Sequence, residues 1–433
     1  MSIPNSLKLI NASEVSDVVV SRRNTTIYPT GGQDVSSGVN GGNVIEFKIP
    51  VSSNESVDMS TFFMHFNFQI QNKANGETCY VEDSIESIID EVTIYVWSGS
   101  NEVERILGYN RLESALNNYI SDSYVKSIGG SMFYAGLSRD ERIALYSSST
   151  ANGALVQASV PLRLCGSASP SFIMPSAVFG QSSFLTIRVR LASPASCLVV
   201  YTEGTVSITA ATPAVAVTDR SVASLATTYQ LTNVRASFDM IQTSQEYQNQ
   251  MSQFLASSSL VYPVKTWDVD FRTIPATSTS VAENLSYNYK DIEAIFFWFN
   301  LQSELNSFAF AGEDRLHVPT NIQSLQLTVN GQKVPSVPID LTGGATEALC
   351  HTLVALGALH IGESVGPFNF EHIVSSLTMT SITEASTTSA LSVPVYNQIY
   401  SDRHYGRNKT SVSSERITTD GTRGAITNDN DPG

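Results

Sequence analysis

Alternation of apolar and polar positions dominates the chain. Phe66-Asn67-Phe68-Gln69-Ile70 and Phe184-Leu185-Thr186-Ile187-Arg188-Val189-Arg190-Leu191 follow this pattern, the period of a strand with one face in a core. Runs of the same β-branched and aromatic kind begin at Asn43: Val44 to Ile49, Phe62 to Ile70 and Val92 to Val96. Helical periodicity is rare. Val103 to Ile120 puts Val103, Ile106, Leu107, Ala115, Leu116, Tyr119 and Ile120 roughly on one face, predicting a helix. Ser244 to Leu255 aligns Tyr247, Met251, Phe254 and Leu255, with Thr243 and Glu246 at the spacing of a capping box. Many strands with few helices predict an all-β sandwich protein.

Two motifs recur in the same order. The aromatic strand Phe63-Met64-His65-Phe66-Asn67-Phe68-Gln69 returns as Phe296-Phe297-Trp298-Phe299-Asn300-Leu301-Gln302. Ile85-Glu86-Ser87-Ile88, leading into Val92 to Val96, returns as Ile322-Gln323-Ser324-Leu325, leading into Leu327-Thr328-Val329. The offsets, 233 and 237 residues, nearly agree, as in an internal duplication. The chain then divides into two sandwiches of similar design, residues 43–243 and 244–400, the second entered through the 244–255 helix. Residues 1–42 are polar and end in the Gly-rich stretch from Gly31-Gly32 to Gly41-Gly42, predicting an extended arm. From Ser401 the apolar pattern is lost, and residues 401–433 are expected to form a flexible or partner-ordered tail.

Composition adds one informative departure. Charged residues make up 15% of the 433 positions, against roughly 25% in typical soluble domains; Ser, Thr, Asn and Gln supply the missing polarity. A surface poor in charge suits contact with neighbouring subunits better than bulk water. The net charge is −15 and the pI about 4.8, the opposite of the basic footprint that coating nucleic acid requires. Basic clusters are confined to Arg22-Arg23 and to Arg403, Arg407, Lys409, Arg416 and Arg423, so no specific nucleic-acid site is expected. The most apolar stretch, Ala348 to Ile361, is too short to span a bilayer. The start, Met-Ser-Ile-Pro-Asn-Ser, lacks the basic and apolar regions of a secretory leader. Cys79, Cys165, Cys197 and Cys350 lie far apart, which fits four free thiols in a reducing compartment and no metal site. The sequons at Asn11, Asn24, Asn54, Asn284 and Asn408 read as chance products of this composition.

The candidate chemistry is thin. Gly362-Glu363-Ser364-Val365-Gly366 matches a nucleophile elbow, but Pro367 follows at once and no parallel α/β pattern surrounds it. Asp268 and Asp270, two apart in Trp267-Asp268-Val269-Asp270-Phe271, share a strand face. Such carboxylates serve glycosidases and calcium sites, yet nothing in sequence completes either set, and the solvated face of a strand is the simpler reading. His65 is expected to be packed or hydrogen-bonded; His351 and His360 are at the wrong spacing for one helical face. The contiguous aromatics at Phe62–Phe68 and Phe296–Phe299 read as core strands rather than as a platform for sugars or bases. No catalytic, cofactor-binding or metal-binding residue is assigned, and no cofactor is expected.

Four passages carry a resemblance. Asn43 to Pro50, then Met59 to Asn72 after Val57-Asp58, forms an opening strand pair. Ile85 to Val103, with Tyr109-Asn110 and Leu112, forms a strand–turn–helix segment. Val160-Pro161-Leu162, Phe172-Ile173-Met174-Pro175 and Leu185 to Ala192 follow in order. Gly366-Pro367-Phe368-Asn369-Phe370-Glu371-His372 is close to a G-x-x-N-F-S-R turn, with Glu-His in place of Ser-Arg. In this order the passages resemble the double jelly-roll major capsid proteins of tailless icosahedral double-stranded DNA viruses.

The resemblance implies two consecutive eight-stranded jelly rolls with a few short helices. It implies a homotrimer of pseudo-hexameric outline that builds an icosahedral virion shell, without enzymatic activity. The implied partners are neighbouring capsomers and minor capsid or cement proteins, with the termini reaching adjacent subunits or an internal membrane. Two alternatives stay open: a minor capsid or vertex protein of the same fold, and a β-sandwich carbohydrate-binding protein. A glycoside hydrolase is a further one, and it would need Asp268 or Asp270 in a cleft with a second carboxylate.

Overall fold

In a computed structural model of the chain the alternating segments form two facing antiparallel sheets. The structure describes residues 19–50, 54–81, 84–96, 101–113, 139–162, 173–175, 184–202, 206–208, 215–217, 221–222, 226–257, 266–274, 280–284, 322–329, 331–341, 391–392, 415–417 and 423–425, with a few single or paired positions between them. In chain order the first strands are β1 (Val19–Ile27), β2 (Val35–Ser36), β3 (Val44–Pro50), β4 (Glu55–Gln71), β5 (Thr78–Val81), β6 (Ile89–Val96) and β7 (Asn101–Leu107). They are followed by α1 (Arg139–Tyr146), β8 (Val156–Pro161), β9 (Ile173–Pro175), β10 (Phe184–Leu191), α2 (Pro194–Cys197) and β11 (Leu198–Thr202). After the short β12 (Val206–Ile208), β13 (Val215–Val217) and β14 (Ser221–Val222) come β15 (Thr228–Thr243) and α3 (Gln245–Ser257). The later strands are β16 (Ser324–Val329), β17 (Gln332–Asp340), β18 (Leu391–Ser392), β19 (Glu415–Ile417) and β20 (Arg423–Ala425).

The first sheet has the order β1-β15-β4-β8, with β2 also on β15 and β9 also on β4; the second has the order β3-β10-β6-β7. The chain changes sheet between β2 and β3, β3 and β4, β4 and β6, β7 and β8, β9 and β10, and β10 and β15. Strands distant in sequence therefore become neighbours, as in the pairing of β3 with β10. This interleaving is the mark of a jelly roll. Among the described residues the chain is all-β, with few short helices.

One core joins the sheets. On β4, Phe62, Met64, Phe66, Phe68 and Ile70 face inward with Ala236 and Phe238 of β15, and meet Ile45, Phe47 and Ile49 of β3 and Leu185, Ile187 and Val189 of β10. Phe62 holds the middle: its ring lies 6.0 Å, edge-on, from Phe47 of the opposite sheet and 5.9 Å, stacked, from Phe238 of its own. At one end the Tyr229 hydroxyl donates across the gap to the carbonyl of Ala192 at 2.7 Å and lies 3.3 Å from that of Ile88. A buried phenol with a partner at its tip keeps its packing without stranding a donor.

Several expectations change. Asn101–Leu107 is a strand, not the start of a helix, because pairing with β6 supplies the backbone partners and buries Glu104 and Ile106 on one side. The helical turn begins at Tyr109, and residues 114–120 of the expected helix lie outside the described residues. The α3 helix forms with Tyr247 and Met251 buried, but its cap sits one residue later. Ser244 Oγ accepts from the Tyr247 N–H at 3.3 Å, while Thr243 closes β15 and its hydroxyl donates to the Asn54 carbonyl. Within the segment expected to be an arm, β1 and β2 are hydrogen-bonded along β15. Within the segment expected to be a tail, β19 pairs with β20 on one side and with β18 on the other.

The repeat has a partial structural counterpart. A 3-10 turn at Ile85–Ile88 enters the β6–β7 hairpin, and Ile322 to Leu325 enter the β16–β17 hairpin. Most of the second aromatic strand, including Phe296 and Phe299, and most of residues 342–433 lie outside the described residues.

Candidate interaction surfaces

The outer faces of the two sheets differ in chemistry. On the second sheet, ion pairs run across all four strands. Glu46 of β3 accepts from Arg188 Nε at 2.7 Å and lies 3.2 Å from Lys48 Nζ. Arg190 of β10 reaches Asp90 at 2.7 Å and Glu91 at 2.9 Å, and Arg105 of β7 reaches Glu91 at 2.6 Å. Arg188 also lies over the Tyr95 ring at 4.8 Å. The alternating strands put Glu46, Lys48, Arg188 and Arg105 on the side away from the core, where opposite charges on adjacent strands stabilise each other.

Burial raises the Glu46 carboxyl, but hydrogen bonds from Arg188 and Lys48 outweigh it and hold the group below its ordinary 4.5. A carboxylate lowered in the fold stabilises it above that ordinary value and loses the contribution as pH falls through the lowered one. The melting temperature is therefore expected to fall as pH drops below 4.5. Glu46→Gln should flatten that slope in a thermal-melt series; an unchanged slope would assign the acid response to other groups.

On the outer face of the first sheet, the outward positions of β4 from Phe63 to Gln71 carry no ionised group, and Arg235 of β15 lies opposite His65. Phe63, His65, Asn67, Gln69 and Gln71 of β4 point outward and are half-buried. His65 sits between Ser159 Oγ of β8, 2.8 Å from Nδ1, and Ser237 Oγ of β15, 2.6 Å from Nε2. Burial, with Arg235 nearby, pushes its pKa down, so a neutral ring donates through one nitrogen and accepts through the other. Gln69 Nε2 donates to the Gly153 carbonyl at 3.0 Å, and Gln71 Nε2 to Gln69 Oε1 at 2.8 Å. Hydroxyls and amides of this kind can hydrogen-bond a partner without the desolvation penalty of ions.

A third feature joins β1 to this sheet. Asp58 of β4 and Asp239 of β15 are directly opposed in register, where two like charges repel. Arg22 of β1 bridges them, with Nη2 at 2.9 Å from Asp58 and Nε at 2.7 Å from Asp239. Asn24 donates to the other Asp239 oxygen at 2.9 Å, and Arg23 meets Glu55 at 2.6 Å. Burial raises Asp239, but its bonds to Asn24 and Arg22 hold it below its ordinary value. The sequence shows Arg22-Arg23 as a basic pair, but its acidic partners lie too far along the chain to be found by spacing.

The sequence-derived candidates do not converge. Thr266 to Ile274 does not form a strand, although Asp268 and Asp270 are exposed on either side of the buried Val269. Asp270 accepts from Arg272 at 2.7 Å. The segment lies against the end of the first sandwich: Thr266 donates to Glu104 at 2.6 Å, and Arg111 lies over the Phe271 ring at 5.1 Å. His351 is exposed, 3.9 Å from Glu347. His360, Cys165 and Gly362–Gly366 lie outside the described residues. Cys79 and Cys197 are buried, which pushes both thiols up, whereas Cys350 is exposed. Among the described residues no group of three or more His, Cys, Asp or Glu is placed to hold a metal ion. No helix among them is long and apolar enough to cross a membrane.

No protein-family model and no curated protein matches the sequence. Solved structures do show a likeness. The PBCV-1 virus capsid matches at 14% identity and a TM-score of 0.28, covering 54% of this chain and 45% of that one. A chain of the Sputnik virophage matches at 12% and 0.33, covering 57% and 53%. The mavirus major capsid protein matches at 11% and 0.27, covering 56% and 52%. The chain thus spans about half the length of each.

Proposed function

We propose that the protein is a major capsid protein whose copies associate as trimers of pseudo-hexameric outline and build an icosahedral shell. One observation carries the reading. Passages that resemble the double jelly-roll family fall on one interleaved sandwich: Asn43 to Pro50 on β3, Val57 to Asn72 on β4, Ile85 to Val103 on β6 and the start of β7, Val160-Pro161 at the end of β8, Ile173 to Pro175 on β9 and Leu185 to Ala192 on β10. The repeated entry into a second hairpin, β16–β17, supports a duplicated roll. The low charge content and the amide- and hydroxyl-lined outer face of β4 suit lateral contact with other copies. The role is mechanical, located in the virion, and needs no cofactor; the partners are further copies and other shell proteins.

The test is the mass in solution, by light scattering at near-physiological salt. A stable species near three times 46.9 kDa that goes on to sheets or shells is the expected result. A monomer that never assembles, even at high concentration, would overturn it.

A further inference from the structure

The β1 strand is attached by a different chemistry from the strands around it. Its residues are exposed over most of its length, with Val20 at 61%, and Ile27 is the β1 side chain that packs against the core. What fastens it is polar: Arg22 to Asp58 and Asp239, Asn24 to Asp239, Arg23 to Glu55, and Ser21 Oγ to Gln242 Oε1 at 3.0 Å.

The receiving site belongs to the sandwich itself. Asp58 is fixed by the backbone N–H and hydroxyl of Ser60, and the Asp239 N–H donates to Thr61 Oγ1 at 2.8 Å. Two opposed carboxylates held this way repel, and a cation between them relieves the repulsion. An arginine spanning both does so with charge-assisted hydrogen bonds, whichever chain it comes from.

The connection beyond β1 can be redirected. Tyr28 is 55% exposed; Pro29 is buried and the Thr30 N–H donates to the Glu46 carbonyl at 2.9 Å, so the open positions are Gly31 and Gly32, Gly32 at φ +111°. From Gln33 the chain is tied down again: Val234 N–H donates to the Gln33 carbonyl, and β2 pairs with β15. Gly31 and Gly32 thus join a polar, shallowly seated strand and the turn after it to a fixed body, the arrangement from which identical elements exchange between copies.

We propose that β1 is an exchange strand. In the assembled protein, Arg22 of one copy occupies the Asp58–Asp239 site of a second copy, so that β15 receives its edge partner from a neighbour. The inference rests on the assembly reading above and adds to it the strand that ties copies together.

Ser21 and Gln242 are register partners whose side chains touch, so S21C/Q242C reports where β1 lies. Isotopically light and heavy chains of this variant are co-assembled from monomers and oxidised, and the linked peptides are read by mass spectrometry. Exchange predicts that peptide pairs containing one light and one heavy partner approach half of the total. Exclusively light–light and heavy–heavy pairs in a light-scattering oligomer would overturn exchange and leave the assembly reading standing. A protein that stays monomeric and yields only unmixed pairs would overturn both. As a second variant, Arg22→Gln should lower the oligomer fraction while leaving the melting transition of the sandwich cooperative. An undiminished oligomer fraction would overturn the role given to Arg22.

Discussion

Phe62→Ala is expected to destabilise the first sandwich by about 3–5 kcal/mol, the usual cost of truncating a buried phenylalanine. The residue is 1% exposed and contacts an aromatic ring on each sheet, so truncation opens a cavity at the inter-sheet contact rather than at the rim. The strand around it is paired on both sides, with Phe63 opposite Pro161 and Ser237 and the Leu162 N–H donating to the Phe62 carbonyl at 3.3 Å, which limits collapse into the gap. Against a typical total of about 5–15 kcal/mol, the loss would leave a large unfolded fraction at moderate denaturant. Urea unfolding followed by circular dichroism checks it. Phe63→Ala, on the outer face of the same strand, is the control, and its midpoint should move far less. Equal shifts for the two would contradict the assignment of Phe62 to the inter-sheet core.

Gly41→Ala is expected to cost about 2–5 kcal/mol, from overpacking and left-handed backbone together. Gly41 has φ +69°, and a Cβ there would sit 2.5 Å from the Ser193 nitrogen, 2.6 Å from its Cα and 2.7 Å from the Ala192 carbonyl carbon. All three atoms are backbone, so no side-chain rotation relieves the clash. The turn sets the start of β3: Gly42 N–H donates to the Leu191 carbonyl at 2.9 Å, and Asn43 accepts from the Leu191 N–H at 2.8 Å. Displacing it therefore disturbs the pairing of β3 with β10. Gly42→Ala is the informative companion. Its φ is +85°, but an added Cβ meets nothing within 4 Å, leaving about 1–2 kcal/mol of backbone cost. Melting temperatures that fall in the order wild type, G42A, G41A are the expected result; a milder effect for G41A would refute the close approach.

The sequence exposed the first sandwich well because local and global preferences agree there. Along Phe66 to Ile70 and Phe184 to Leu191 a period of two coincides with one buried and one outward face. It misled at Val103 to Leu107, where Val103, Ile106 and Leu107 fit a helical stripe equally well. Cross-strand pairing with β6, which no local pattern records, decides that segment. The β1 strand escaped for a related reason. Val19-Val20-Ser21-Arg22-Arg23-Asn24 has no alternation to reveal it, and its partners on β15 lie more than 200 residues away. The two outer faces were legible only as composition; their separation into an ionic side and an amide side depends on register. Asp268 and Asp270 are both exposed, but the strand that would put them on one face does not form.

The neutral row Phe63, His65, Asn67, Gln69 and Gln71 also bears on how an assembly would respond to its medium. Contacts between ions weaken as the screening length shrinks from about 10 Å at 0.1 M salt to about 3 Å at 1 M. A joint made from amides, hydroxyls and a neutral imidazole, with Arg235 as the charge beside them, has little for salt to screen. Urea, which solvates peptide and apolar groups alike, competes for it directly. Copies joined through this face would hold in brine and part in urea, whereas a strand fastened by Arg22 would loosen in brine first.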